Sequence, residues 1–356
     1  MKLKVWINVI TLVALVVLVY FSRHQFEEVF AKLDNLSLLP LLLLIPLKFF
    51  NFYTIAKMYQ EYFVVLGEKV STKELFKISM EMNFVNLVFP SGGASGFSYL
   101  SLRLKPLGIS TAKTTMVQVA RFGLVFLTFL LLIFFGMLIL AIEGKASNLT
   151  ILVASVISTL TLVGAAIFIY IVSSKERITA FTAFLPRVIN RVARLVHRKN
   201  RELIKIEKVK RTFTELHEDY NLIARDFGKL KKTTFWALMI NVSEIVLIYT
   251  VFVAHGEWIN VGALIIAYAV ANFAGLVSLF GGVGVYEFLM TSVMASAGVP
   301  AALALSATVM YRVINMVVFL PIGYWLYRKF LKQPSLEPIS VKEAKIQHGR
   351  VDSDTH

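Results

Sequence analysis

Asn83-Phe84-Val85-Asn86-Leu87-Val88 is followed by Gly92-Gly93 and Gly96, and Asn272-Phe273-Ala274-Gly275-Leu276-Val277 is followed by Gly281-Gly282 and Gly284. Asn83/Asn272, Phe84/Phe273, Leu87/Leu276, Val88/Val277, Gly92/Gly281 and Gly93/Gly282 coincide at one constant offset. Downstream, Gly108-Ile109-Ser110 parallels Gly298-Val299-Pro300, and Arg121 parallels Arg312, each inside a long apolar run. Six matches in register, followed by a matched arginine, read as an internal duplication.

The surrounding composition says what was duplicated. The chain has 356 residues and is 57% hydrophobic, with a mean hydropathy of +0.70. A water-soluble domain does not carry that much apolar surface. Near-uncharged runs over 5–21, 36–57, 112–142, 149–172, 235–254 and 301–327 are each of the order needed to cross a bilayer. The run at 5–21 follows Lys2 and Lys4 and continues into Ser22-Arg23-His24 with no small-residue cleavage site, so it reads as a retained anchor rather than a signal peptide. Two more apolar regions, 75–102 and 261–297, are interrupted by the duplicated glycines.

Loop charge orients these spans. The segment 174–232 holds sixteen Lys/Arg against seven Asp/Glu. It reads as cytoplasmic, as do the N-terminus, the loop with Arg103, Lys105 and Lys113, and the polar tail over 331–356 that follows Arg328 and Lys329. Loops 22–35, 143–148 and 255–260 are poor in Lys/Arg and read as external. Parity then makes 75–102 begin and end inside, and 261–297 begin and end outside. The predicted fold is an all-α polytopic membrane protein with six full spans and two re-entrant helical hairpins in an inverted repeat. Residues 1–330 form one transmembrane domain, with repeat halves at about 36–142 and 235–327. Inverted repeats with broken helices are a transporter architecture, the breaks lining a wet cavity.

Net charge is +15. Positive-inside loops account for it, and no nucleic-acid module accompanies it. The stretch 187–211 interleaves Arg187, Arg191, Arg194 and Arg198 with Val188, Val192 and Leu195. It reads either as a basic amphipathic helix on anionic lipid head groups or as a solvated connector. The chain has no cysteine, which removes disulfides, thiolate metal sites and cysteine nucleophiles. Its six histidines show no ligand spacing. No cofactor or metal is expected.

Ionisable groups inside spans cost roughly 2.5–3.5 kcal/mol on insertion scales. They are Lys48, Glu81, Arg121, Glu244, Glu287 and Arg312. Arg121 and Arg312 fall at related depths in opposite halves, and guanidinium matches phosphate oxygens. They are the candidate lipid-phosphate ligands; the alternative is pairing with Glu81 or Glu287. Glu81, Asn83, Asn272 and Glu287 are candidate cavity groups, the carboxylates as proton carriers and the asparagines as ligands or helix caps. Lys48 and Glu244 read as structural or snorkelling. Pro90, Gly92, Gly93, Gly96, Gly281, Gly282 and Gly284 are the expected hairpin breaks; their Gly-Gly-x-Gly string follows no strand and does not read as a nucleotide loop.

Phe89-Pro90-Ser91-Gly92-Gly93 with Arg121, and Gly281-Gly282-Val283-Gly284-Val285-Tyr286-Glu287 with Gly298-Val299 and Tyr311-Arg312, resemble the lysylphosphatidylglycerol synthase transmembrane-region family, which includes the flippase part of multiple peptide resistance factors. The resemblance spans about residues 5–330. The chain departs from the family pattern at Phe280, at Tyr286, and at the neutral Val119, Ala120 and Leu124. The resemblance implies translocation of a phospholipid, such as lysyl-phosphatidylglycerol, or of a lipid-linked envelope precursor in the bacterial plasma membrane. With 29 residues after Tyr327, the soluble aminoacyltransferase domain of the full-length factors is expected to be absent, so the chain is not expected to be an enzyme. The alternatives are a membrane-embedded transferase, or an accessory subunit partnering an envelope lipid or glycan synthase.

Overall fold

A computed structural model describes residues 36–89, 94–174, 176–178, 227–277 and 284–332, together with Tyr20, Glu27 and Ala180. Apart from Tyr20, the predicted span at 5–21 lies outside the described residues, as do the amphipathic stretch at 187–211 and the tail beyond 332. Among the described residues all regular structure is helical. The long helices are α1 (Leu38–Val65), α4 (Thr111–Ile142), α5 (Asn148–Val172), α6 (Lys231–Ala254) and α9 (Ala301–Leu331). The short ones are α2 (Thr72–Val88), α3 (Ala94–Leu104), α7 (Val261–Val277) and α8 (Val285–Ser296). All five long helices contain a stretch apolar and long enough to cross a bilayer. Leu152, Leu160 and Leu162 on α5, and Phe134 and Phe135 on α4, are exposed. Such outward apolar faces suit hydrocarbon, and the protein is a multi-pass membrane protein.

The order long, short, short, long over α1–α4 recurs over α6–α9, and the helix ends recur with it. At the end of α1, Gly67 (φ 77°) donates to Val64 O and Glu68 N to Phe63 O. At the end of α6, Gly256 (φ 78°) donates to Val253 O and Glu257 N to Phe252 O. These are matching glycine C-caps in the left-handed region that a β-carbon disfavours. They extend the duplication upstream to Phe63…Gly67-Glu68 and Phe252…Gly256-Glu257, which the sequence comparison had not reached. Gly108 (φ 81°) and Gly298 (φ 89°) form the second matched pair, ahead of α4 and α9. Ser71 and Ser110 start α2 and α4 by accepting from Glu74 N and Lys113 N.

The two halves pack through equivalent elements. Helices α1 and α6 lie side by side and antiparallel. Ser37 N meets Ala254 O at 2.9 Å, Asn51 meets Ser243 at 2.9 Å, and Met58 packs with Ala237 and Ile240. Each pair of short helices packs against the last long helix of the other half. A Cβ at Gly323 of α9 would lie 2.6 Å from Phe84 Cβ and 2.8 Å from Met80 O of α2. A Cβ at Gly262 of α7 would lie 2.5 Å from Gly136 O of α4. Glycine lets both helix pairs approach backbone to backbone, which is how membrane helices gain dispersion energy without a hydrophobic drive. Two main apolar cores result, one around α2–α3 with Tyr62 and Leu100, the other around α7–α8 with Leu264 and Met290.

The contacts also sort the helix ends. At one end Thr150 meets Ser296 at 3.1 Å and His255 meets Ser306 at 3.3 Å, so the starts of α1, α5, α7 and α9 gather with the ends of α4, α6 and α8. At the other end Lys113 pairs with Glu68 and Arg103 with Glu74 at 2.6 Å. Leu230, Phe330 and Leu331 share that end's core with Leu66 and Val70. Lys69, Lys73, Lys105, Lys113, Lys231, Lys232 and Lys332 crowd the second end, whereas Lys145 with Glu143 and Glu257 mark the first.

Candidate functional site

The ionisable groups read from sequence do sit inside this apolar body, in four separate clusters. Helix rise puts Lys48 about 15 Å from the start of α1, Glu244 about 15 Å from the end of α6, Arg121 about 15 Å into α4 and Arg312 about 16 Å into α9. Each distance is about half the thickness of a hydrocarbon core of about 30 Å.

Arg312 is brought together with Glu287. Its Nη1 donates to Glu287 Oε1, and its guanidinium lies 5.8 Å from the Tyr286 ring centroid. Glu287 is buried, and its Oε2 accepts from Gly284 N at 2.7 Å. The carboxylate therefore caps the first turn of α8 and neutralises the arginine at once. Gly284 itself has φ 84°.

Arg121 takes the related place against the first turn of α3. Gln118, one turn earlier on α4, donates to Gly96 O at 3.4 Å, and Phe122 stacks on Phe97 with centroids 5.4 Å apart. The Arg121 guanidinium lies 5.6 Å from the Tyr59 and Phe122 ring centroids. Tyr59 donates to Gln118 Oε1 at 2.7 Å. No carboxylate pairs with Arg121 among the described residues, and its Nε is buried with no acceptor. Cation–π attraction of about 0.5–2 kcal/mol per ring substitutes only partly for an anion.

Glu81 and Arg121 are not brought together. Glu81 belongs to a separate closed group: Arg103 donates to it through Nε at 2.5 Å and Nη2 at 3.2 Å, and Tyr99 OH donates at 2.8 Å. Arg103 also reaches Glu74 and lies 4.3 Å from the Phe330 ring centroid. The sequence reading put Arg103 in a basic loop. It is instead in α3 and buried, where its guanidinium supplies the charge that the buried Glu81 needs. Every functional atom of Glu81 is thus already engaged in tying α2 to α3.

Lys48 does not snorkel. It is 5% exposed and donates to Glu244 at 3.1 Å and to Tyr311 OH at 3.2 Å, and Tyr311 OH donates in turn to Glu244. This triad joins α1 to α6 and α9 and borders a narrow cleft lined also by Leu44, Leu247, Ile314, Asn315 and Phe319. Asn315 Oδ1 is buried there with no hydrogen-bond partner. Tyr268 and Tyr286 lie within electrostatic reach of Glu244. The triad thus lies at the seam between the two halves.

Of the remaining expected residues, Asn83 Nδ2 is buried without a partner. Asn272 donates back to Tyr268 O at 2.8 Å. Gly96 lies under Asn86, whose Oδ1 would be 2.7 Å from a Cβ there. Pro90, Gly92, Gly93, Gly281 and Gly282 lie outside the described residues. Among the described residues no three His, Asp or Glu side chains converge as a metal site. Sequence reading quoted Tyr311 only within a family motif and Arg103 only as a loop cation, and did not single out Gln118 and Tyr59. Helical spacing held a signal for one of them: Gln118 stands three residues before Arg121, on the same face.

A search of curated proteins gives no match for this chain. The family profile described as Lysylphosphatidylglycerol synthase TM region matches residues 5–323, most of the chain, and the protein therefore belongs to that family.

Proposed function

We propose that the protein moves an anionic or aminoacylated phospholipid, or a lipid-linked envelope precursor, between the leaflets of the plasma membrane, with Arg121 and Arg312 engaging the phosphate in turn. One observation carries this reading. Each arginine lies at mid-depth against the first turn of the second short helix of its own half, and the two short-helix pairs are anchored at opposite ends of the bundle. Both ends of the α2–α3 pair lie beside the basic end, through Arg103–Glu74 and Lys113–Glu68. Both ends of the α7–α8 pair lie beside the other, through the Gly262–Gly136 approach and Thr150–Ser296.

That arrangement supports reading the pairs as re-entrant hairpins of an inverted repeat, with the antiparallel α1 and α6 at its axis; hydropathy alone makes the run at 5–21 a sixth span. The lysine-rich end is then cytoplasmic, and so are both termini. A lipid phosphate crossing the hydrocarbon needs a cation near the midplane, and the repeat supplies one reachable from each face. Anionic head groups are the partners this predicts.

Reconstitution tests it. In proteoliposomes carrying a fluorescent phosphatidylglycerol, outer-leaflet quenching reports the rate at which lipid changes sides. The full chain is expected to accelerate that exchange over protein-free vesicles, and the double variant Arg121→Gln/Arg312→Gln to lose the acceleration. Unchanged exchange in the double variant removes the proposed role of the arginines.

A further inference from the structure

The two halves are not equivalent where they should hold the ligand. Arg312 is already occupied by the Glu287 carboxylate, which is buried and fixed by the Gly284 amide. The corresponding turn of the first half reads Gly96-Phe97-Ser98 and has no acid. Arg121 keeps a buried Nε with no acceptor, framed by Tyr59 and the Phe97–Phe122 stack. From this asymmetry we infer that Glu287 is a built-in competitor of the ligand: it occupies the phosphate position on Arg312, so that in this conformation an anionic lipid phosphate binds at Arg121, and Arg312 accepts the phosphate only when Glu287 yields.

This rests on the reading of the two arginines as phosphate ligands and assigns them an order. Carboxylate and phosphate present the same acceptor geometry to a guanidinium, so they exclude one another on Arg312. The exchange conserves charge: a monoanionic phosphate arriving at Arg312 replaces the one carboxylate charge that leaves it. Among the described residues Glu287 meets no cation other than Arg312, so its departure is unfavourable until the phosphate is in place. That makes Glu287 a one-site lock which only an anion opens. Arg121 meets the neutral Tyr59 and no carboxylate among the described residues, so no competing charge has to leave before the ligand binds.

Binding of phosphatidylglycerol to the full-length chain in detergent, measured by native mass spectrometry, tests the order. Glu287→Gln keeps an oxygen for the Gly284 amide, so the first turn of α8 is retained while the competing charge is lost. Affinity is expected to rise about tenfold in Glu287→Gln, the equivalent of about 1.4 kcal/mol. That gain is expected to vanish when Arg312→Gln is added, because the two residues act through one contact. Arg121→Gln is expected to weaken binding by about tenfold, and by more than Arg312→Gln does. Unchanged or weaker binding in Glu287→Gln, a gain that survives in the Arg312→Gln background, or equal losses in the two arginine variants each overturn the inference while leaving a phosphate role for the arginines intact. If Glu287→Gln fails to fold, the comparison of the two arginine variants decides alone. Arginine variants that alter neither binding nor lipid exchange sink the underlying reading instead.

Discussion

Replacing Arg103 by Met removes a cation that the sequence alone would place in solvent. Its side chain is 7% exposed and that of Glu81 is 2% exposed. Two of its nitrogens reach both Glu81 oxygens, at 2.5 and 3.2 Å. Without it, Glu81 keeps only the Tyr99 hydroxyl at 2.8 Å. Stranding one member of a buried ion pair costs about 3–5 kcal/mol. The Glu74 contact adds little, because Glu74 is 28% exposed and such pairs contribute about 0–1 kcal/mol. At about 2–4 °C per kcal/mol for domains of 150–250 residues, and at the low end for a longer chain, the shift is roughly 6–10 °C. The assay is the fraction of detergent-solubilised protein that stays monodisperse after heating at a fixed rate, since unfolding of such a protein is governed by kinetics. The double variant Arg103→Met/Glu81→Gln should recover most of the loss, because the amide can still accept from Tyr99 while the orphaned charge is gone. An Arg103→Met shift under about 2 °C, or a double variant as unstable as the single one, refutes the claim that a desolvated charge pair holds α2 to α3.

Two further outcomes follow from packing and from topology. Gly262→Ala places a Cβ 2.5 Å from Gly136 O and must part α7 from α4; a loss of about 1–3 kcal/mol is expected, read in the same heating assay, whereas Gly164→Ala, with open space around it, should be silent. The absence of cysteine allows single-cysteine mapping without background: Lys69→Cys and Lys105→Cys should label from the cytoplasm, and Glu257→Cys and Ser296→Cys from outside. Labelling of all four from one side contradicts re-entrant hairpins entering from opposite leaflets.

Particular residues show how far sequence reading reached into the site. Arg121 and Arg312 were legible because a charge in a twenty-residue apolar run is conspicuous whatever surrounds it, and the repeated glycines gave both the same frame. Glu287 beside Arg312 was one of the two pairings the spacing allowed. That Glu81 pairs with neither arginine of the two spans but with Arg103 was not distinguishable in sequence, because depth in a helix does not say which neighbour shares that depth. Lys48 and Glu244 are separated by 196 positions, and nothing local in either helix points to the other. Arg103 misled because a basic residue beside Lys105 and Pro106 looks like a loop, while α3 in fact runs to Leu104.

Sequence by itself determined the membrane class and the helical composition, and pointed to a repeat around the two glycine-broken regions, since hydropathy and glycine spacing are properties of the chain read locally. Only the tertiary structure decided which charges are spent and which are free. Glu81 is consumed by Arg103, Lys48 by Glu244 and Arg312 by Glu287, while Arg121 meets no carboxylate among the described residues. The physical reason is that a buried charge is stabilised by whatever lies within a few ångströms of it, and that distance is set by how helices far apart in the chain pack together.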